Sequence, residues 1–167
     1  MPVKEHFFME SPLGTLTLVN TDGILSAIYM PSHLRGPSIE ALGARVQSGF
    51  ETVVEQLREY FDKRRTEFTF PIVMFGTAFQ QRIWNLLREI PYGETRTYMQ
   101  LADAIGNRAA IRAVGLANGR NPISIVVPCH RVIGSDGSLT GYAGGLDRKQ
   151  FLLELENAPV ARQAKLL

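Results

Sequence analysis

Cysteine is almost missing from this chain. Among 167 residues only Cys129 carries a thiol, which excludes an internal disulfide and fits a reducing compartment. Histidine is nearly as scarce, with His6, His33 and His130 making up the set. Long apolar runs are missing too: the segment from Ile123 to Val127, interrupted by Ser124, is far short of the ~20 residues that a membrane span needs. The opening MPVKEHFF lacks the apolar stretch of a secretory signal, so a cytoplasmic protein with no membrane partner is expected. Net charge is only +2, from 18 basic and 16 acidic residues. What remains is ordinary globular composition, 45% apolar with 15 Gly and nine Pro, which excludes a disordered tail or a collagen-like repeat. A chain this long buries roughly 70% of its unfolded surface, enough for one sizeable core or two small ones sharing an interface.

The small net charge hides an asymmetry. Residues 1–77 hold seven basic and nine acidic side chains, whereas residues 78–150 hold nine basic and five acidic. Between Ala104 and Ser135 the charges are Arg108, Arg112, Arg120 and Arg131, with no acid. Such a stretch suits phosphate contact as well as it suits a solvated cationic face.

The apolar pattern predicts an α+β chain. His6 to Met9, Thr15 to Val19 and Ile24 to Met30 read as strands, punctuated by Ser11-Pro12-Leu13-Gly14 and Thr21-Asp22-Gly23. Residues 31–48 read as a loop with room for a short helix. From Phe50, helical spacing of Val53, Val54, Leu57, Tyr60 and Phe61 predicts a helix, and Phe68 to Val73 reads as extended. Thr77 is placed to cap a helix with Phe79, Ile83, Trp84, Leu86, Leu87 and Ile90 inside, closed by Pro91-Tyr92-Gly93. Tyr98 to Ile105 and Ala109 to Asn118 then form two short helices about Gly106-Asn107, either an ordinary hairpin or a DNA-binding helix-turn-helix. Ile123 to Val127 reads as a buried strand stopped by Pro128. In such a strand Cys129 and His130 point to opposite faces, which disfavours a direct thiol–imidazole pair and leaves contact through a water or a bend.

Three strings taken together are specific: Pro128-Cys129-His130-Arg131-Val132-Ile133-Gly134, Gly141-Tyr142-Ala143-Gly144-Gly145 with Lys149 and Glu156 after it, and Arg112-Ala113-Val114-Gly115 with Asn121-Pro122. They resemble the O6-alkylguanine-DNA alkyltransferases, the methylated-DNA–protein-cysteine methyltransferases. The likeness is dense from Thr77 to Glu156 and weaker at Ser11-Pro12-Leu13-Gly14. It implies a small RNase H-like α/β domain over residues 1–76, a mostly helical DNA-binding and alkyl-transfer domain over 77–157, and a tail over 158–167.

The same resemblance implies roles. Cys129 falls on the alkyl acceptor, His130 on the histidine that reaches it through a water, and Glu156 on the acid that orients the histidine. Asn121 matches the residue that ties the site to the recognition helix, and Tyr98 the tyrosine that presses on the target phosphate and helps protonate the leaving base. Arg112 matches the residue that fills the gap left by a flipped nucleotide, with Ala113 and Gly115 beside it letting the helix approach the minor groove. Val132, Tyr142, Ala143 and Gly144 are expected to wall the pocket.

The chemistry suits these residue types. In-line displacement at an alkyl carbon needs a soft nucleophile, and a free thiol with a pKa of roughly 8.5 gains from a base behind it. The product thioether has no low-energy route back, so one molecule acts once, as a suicide enzyme. The implied partner is double-stranded DNA carrying alkylated bases, met by a monomer, with O4-alkylthymine left open as a substrate. Some family members hold zinc on the N-terminal domain; with no thiol in that half, no metal and no cofactor are expected. The rival readings are a lesion-binding relative, which lacks the cysteine, a helix-turn-helix regulator, which leaves Cys129, His130 and Glu156 without roles, and a cysteine hydrolase.

Overall fold

The computed structural model describes residues 1–31 and 37–158. The three N-terminal strands are antiparallel neighbours: β1 (Lys4–Ser11), β2 (Gly14–Thr21) and β3 (Ile24–Tyr29). Pro12-Leu13 closes the first hairpin, with the Ser11 Oγ donating to the Gly14 carbonyl at 2.7 Å. Asp22 and Gly23 close the second at φ 51° and 81°, the double positive φ that a type I′ turn requires and that an Asp-Gly pair tolerates. The stretch expected to be a loop holds a short 3-10 turn, Ile39–Leu42, and β4 (Ala44–Arg45), which pairs parallel to β1. The sheet order is thus β3-β2-β1-β4. His33 and part of this loop lie outside the described residues, as does the tail from 159 onward.

Helix α1 (Glu51–Phe61) buries Val53, Val54, Leu57 and Tyr60, the face set by the sequence spacing. Between α1 and residue 77 the chain forms no regular strand. Phe68 to Val73, expected extended, makes one bridge, Ile72 to Leu25, and Val73 N–H donates to the Leu25 carbonyl at 2.9 Å.

The second half opens on α2 (Ala78–Arg88), whose start is a capping box. Gln80 N–H donates to Thr77 Oγ1 at 3.1 Å, and Thr77 N–H donates to Gln80 Oε1 at 3.0 Å. Gly76 is required there: a Cβ would sit 2.4 Å from the Trp84 ring. Strand β5 (Arg96–Thr97) leads into α3 (Tyr98–Ala104), capped in the same way by Thr97 and Gln100. Gly106 at φ 74° turns the chain through a 3-10 step, Arg108–Ala110, into α4 (Ile111–Gly119). Both helices of the expected pair therefore form, to within a residue or two. Strand β6 (Val132–Ile133) pairs parallel with β5, and α5 (Leu146–Leu155) closes the fold.

Residues 123–127 correct the expectation of a buried strand. They are buried but turned, with Val127 N–H donating to the Ile123 carbonyl at 2.9 Å and Ile125 at φ 76°. A β-branched residue is rarely found at such φ. Asn121 replaces the missing strand neighbour: its Nδ2 donates to the Val127 carbonyl at 2.6 Å and its Oδ1 accepts from Ile123 N–H at 3.0 Å. An apolar run shows burial without showing geometry.

The main core is continuous across both halves. Leu16, Leu18 and Ile28 of the sheet join Ile83, Trp84 and Leu87 of α2 and Val127 and Val132 beside Cys129. Ile28 N–H donates to the Pro122 carbonyl at 2.9 Å, so the outer edge of β3 supports the turn that carries the cysteine. Among the described residues no helix is long and apolar enough to cross a membrane.

Candidate active site

Cys129 opens a 3-10 turn, Cys129–Arg131, rather than continuing a strand. Successive side chains there diverge by roughly 120°, not 180°, so the opposed-face argument against cooperation between Cys129 and His130 does not apply. The thiol is 5% exposed. Burial pushes its pKa up, against hydrogen bonding from the Asn121 side chain, the charge of Lys149 and the amides of residues 129 and 130. The resting sulfur is therefore protonated and needs a base.

An imidazole stands next in the chain. His130 is fully buried, and its Nε2 meets Glu156 Oε2 at 2.7 Å. Burial lowers its pKa, against the pull of Glu156 and with the Arg131 and Lys149 charges adding to the fall, so the ring is neutral near pH 7. With Nε2 donating to the carboxylate, Nδ1 carries the lone pair; no described residue hydrogen-bonds it.

Glu156 is held from four sides. Besides His130, it accepts from Tyr60 Oη at 2.5 Å and from Arg131 through Nε at 2.7 Å and Nη2 at 3.0 Å. Burial by itself raises the carboxyl pKa, but His130 and Arg131 outweigh it and hold the group well below the usual carboxylate range. Arg131 also donates from Nη1 to the Ile90 carbonyl at 2.7 Å. The carboxylate is thus ionised and the imidazole orientation fixed.

A groove of about 470 Å³ is lined by Tyr98, Ile111, Arg112, Gly115, Leu116, Thr140 and Gly141. Tyr98 opens α3 and donates from Oη to the Thr140 carbonyl at 3.0 Å. Burial raises its pKa, which keeps the phenol a donor. A Cβ on Gly141 would lie 3.0 Å from that hydroxyl. On α4 the inner face is Val114, Ala117 and Asn118, and Trp84 Nε1 donates to the Ala117 carbonyl at 2.8 Å, fixing α4 on α2. The outer face carries Arg112, Ala113 and Leu116, with Arg120 just beyond the helix.

Comparison with known proteins agrees with this geometry. The family model described as 6-O-methylguanine DNA methyltransferase, DNA binding domain, matches residues 78–158, and its ribonuclease-like domain matches residues 5–74. A methylated-DNA–protein-cysteine methyltransferase of Mycolicibacterium paratuberculosis is 51% identical over 91% of this chain and 92% of its own length. One from Methanosarcina mazei is 57% identical over 90% and 96%. A structure of Mycobacterium tuberculosis OGT in complex with DNA superposes with a TM-score of 0.85 at 48% identity, covering 94% of this chain and 96% of that one. The chain belongs to the methylated-DNA–protein-cysteine methyltransferase family. It is an α+β protein with a ribonuclease-like N-terminal domain and a helical DNA-binding domain, as the resemblance implied.

Within this methyltransferase fold the residues singled out in the sequence separate into two layers. Cys129, His130, Glu156 and Asn121 are buried, while Tyr98, Arg112 and Gly115 border the groove. The expected pocket wall divides. None of its four residues lines the groove, whose edge on this side is Thr140 and Gly141: Val132 and Tyr142 are buried, Gly144 borders a separate cleft with Pro12, Leu13 and Arg148, and Ala143 is half-buried. The acid-free arginine stretch divides as well. Arg131 is inside the protein on Glu156, and Arg108 is paired with Asp103 at 2.7 Å, leaving Arg112 and Arg120 exposed and unpaired among the described residues.

Sequence reading missed Tyr60 and, while placing Lys149 in a motif, gave it no role. Tyr60 was legible only as one more apolar position on α1. Lys149 is fully buried, its pKa lowered to about 8 by desolvation against the opposing pull of Cys129, with Nζ donating to the Val132 carbonyl at 2.5 Å and the Thr140 carbonyl at 2.7 Å. Among the described residues no three His, Cys, Asp or Glu side chains are grouped to hold a metal ion.

Proposed function

We propose that this methyltransferase repairs duplex DNA by moving the alkyl group of O6-alkylguanine onto Cys129, irreversibly and once per molecule. The observation that carries the reading is a buried cysteine followed in the chain by a histidine held on a buried glutamate, in a fold where Tyr98 and the exposed Arg112 line one groove. His130 Nδ1 takes the thiol proton, through a water or directly, and the imidazolium is stabilised by ionised Glu156. The Sγ–carbon bond forms as the O6–carbon bond breaks in line. Tyr98 donates toward the leaving guanine, whose charge develops at that moment, and the proton lost by the thiol ends on the base.

The reacting carbon is stacked inside the duplex, so the nucleotide flips out at a cost of about a few kcal/mol. Arg112 offsets this by entering the vacancy, while Ala113 and Gly115 let α4 lie close in the minor groove. Asn121 keeps the turn before Cys129 closed, and Val132, Tyr142, Ala143 and Gly144 shape the base site from behind. Residues 1–76 act as support, 77–157 do the chemistry, and the protein works as a monomer without metal or cofactor.

Duplex DNA bearing radiolabelled O6-methylguanine tests the reading. Label passes to protein at no more than one equivalent, and mass spectrometry finds the methyl on the Cys129 peptide. Cys129→Ser takes up none and still binds DNA. Label on the Cys129→Ser protein, or turnover beyond one equivalent, refutes the assignment. A parallel O4-methylthymine duplex reads the substrate range.

A further inference from the structure

The segment that joins β6 to α5 is clamped at both ends by two neighbouring cations of α5. At its near end Thr140 presents its carbonyl to Lys149 Nζ at 2.7 Å and to Tyr98 Oη at 3.0 Å. At its far end Gly144 accepts from Arg148 Nη1 at 2.9 Å, and the same guanidinium donates from Nε to the Leu13 carbonyl at 3.1 Å. Leu13 lies in the β1–β2 turn, 135 residues earlier. Only the far clamp reaches into the N-terminal half.

The surroundings of that clamp are tight. A Cβ on Gly144 would meet Met30 Cγ and the Tyr142 ring, each at 2.8 Å, and a Cβ on Gly14 would meet Pro31 Cγ at 2.9 Å. The β1–β2 turn, the chain leaving β3 and the glycine segment therefore pack as one unit, with Gly141 of the same segment bordering the groove of Tyr98 and Arg112. Among the described residues no carboxylate joins Arg148 here; both acceptors are carbonyls. A planar fork with donors in fixed directions satisfies two such acceptors at once, which a single ammonium head does less well.

We propose that Arg148 is a positioning residue for alkyl transfer: it latches segment 140–145 to the N-terminal β1–β2 turn, so that the N-terminal half sets where this wall of the base site stands relative to Cys129. The proposal rests on the transfer reading above. A wall displaced by about 1 Å costs up to roughly a hundredfold in a reaction that depends on alignment, whereas the outer face of α4, with Arg112 and Leu116, is left alone.

The test compares full-length wild type, Arg148→Met and Arg148→Lys by single-turnover methyl transfer, by affinity for unmodified duplex, and by amide hydrogen exchange. Arg148→Met is expected to lower the saturating transfer rate at least tenfold, to change duplex affinity less than twofold, and to speed exchange in both 140–145 and the turn at Leu13 while α2 stays protected. Arg148→Lys, which reaches one carbonyl at a time, recovers only part of the rate. An unchanged saturating rate, or a loss explained by global exchange or full recovery by lysine, overturns the latch. If wild type transfers no methyl, the transfer reading fails; the exchange arm then decides whether Arg148 couples the two segments, and protection unchanged in both overturns it.

Discussion

Arg131 is the residue for which the sequence pattern and the packing make opposite predictions. In sequence it belongs to an acid-free run of arginines suited to phosphate; in the fold it is 7% exposed, with two nitrogens on Glu156 and one on the Ile90 carbonyl. Arg131→Met keeps most of the volume and removes the cation. Taking one partner from a buried ion pair costs ~3–5 kcal/mol, and the lower figure applies because His130 and Tyr60 still hold the carboxylate. For a protein of this size each kcal/mol moves Tm by ~2–4 °C, so circular dichroism at pH 7 should record a fall of about 6–12 °C.

The pH dependence has a definite sign. A carboxyl depressed in the folded state adds stability above its unfolded pKa of about 4.3, and that stability is lost as pH falls through the folded value. Glu156 is so depressed in the wild type and less so without Arg131, so the two melting curves converge as pH drops below about 4. Glu156→Gln combined with Arg131→Met removes both charges and melts above Arg131→Met alone. The salt slope of DNA binding should not change, whereas loss of one phosphate contact lowers it by ~0.9. A Tm change under 2 °C, or a reduced salt slope, refutes the internal role.

Two further outcomes follow from the same geometry. Because burial holds His130 below the ordinary histidine value, the ring stays neutral and wild-type methyl transfer is flat from pH 8 to about 6.5. In His130→Gln the thiol, itself raised, must ionise unaided, and single-turnover rates climb about tenfold per pH unit between 7 and 9; a flat variant profile removes His130 as the base. Leu116, 58% exposed one turn from both Arg112 and Arg120, gives a separate test of the DNA face. Leu116→Glu should weaken duplex binding about tenfold through repulsion of phosphate while Tm is kept by the new i,i+4 pairs; unaltered affinity in a fluorescence titration places DNA elsewhere.

Much of this protein was legible in local chemistry. The Asp-Gly turn, the threonine cap at 77 and the apolar stripes of α1 and α2 each act over a few residues, so spacing alone predicts them. The PCHR string and its partners carried the family, and singled out Cys129, His130, Glu156, Tyr98, Asn121 and Arg112 as the candidate site. Where sequence reasoning failed over residues 123–127, the deciding interaction was a side chain two and six residues from its partners. Residues 123–127 have the composition of a strand, yet Asn121 supplies the acceptor and donor that a neighbouring strand otherwise gives, and the segment turns.

Tertiary structure alone decided which charges face water. Arg112 and Arg131 look alike in a run of residues, but α4 is pinned by Trp84 with Arg112 outward, while Glu156 arrives from the end of α5 to meet Arg131. Tyr60 and Arg148 gained their places in the same way, through partners 96 and 135 residues away. Sequence spacing governs what a residue does with its near neighbours; a buried charge is stable only beside a partner, and only the closed fold brings that partner within reach.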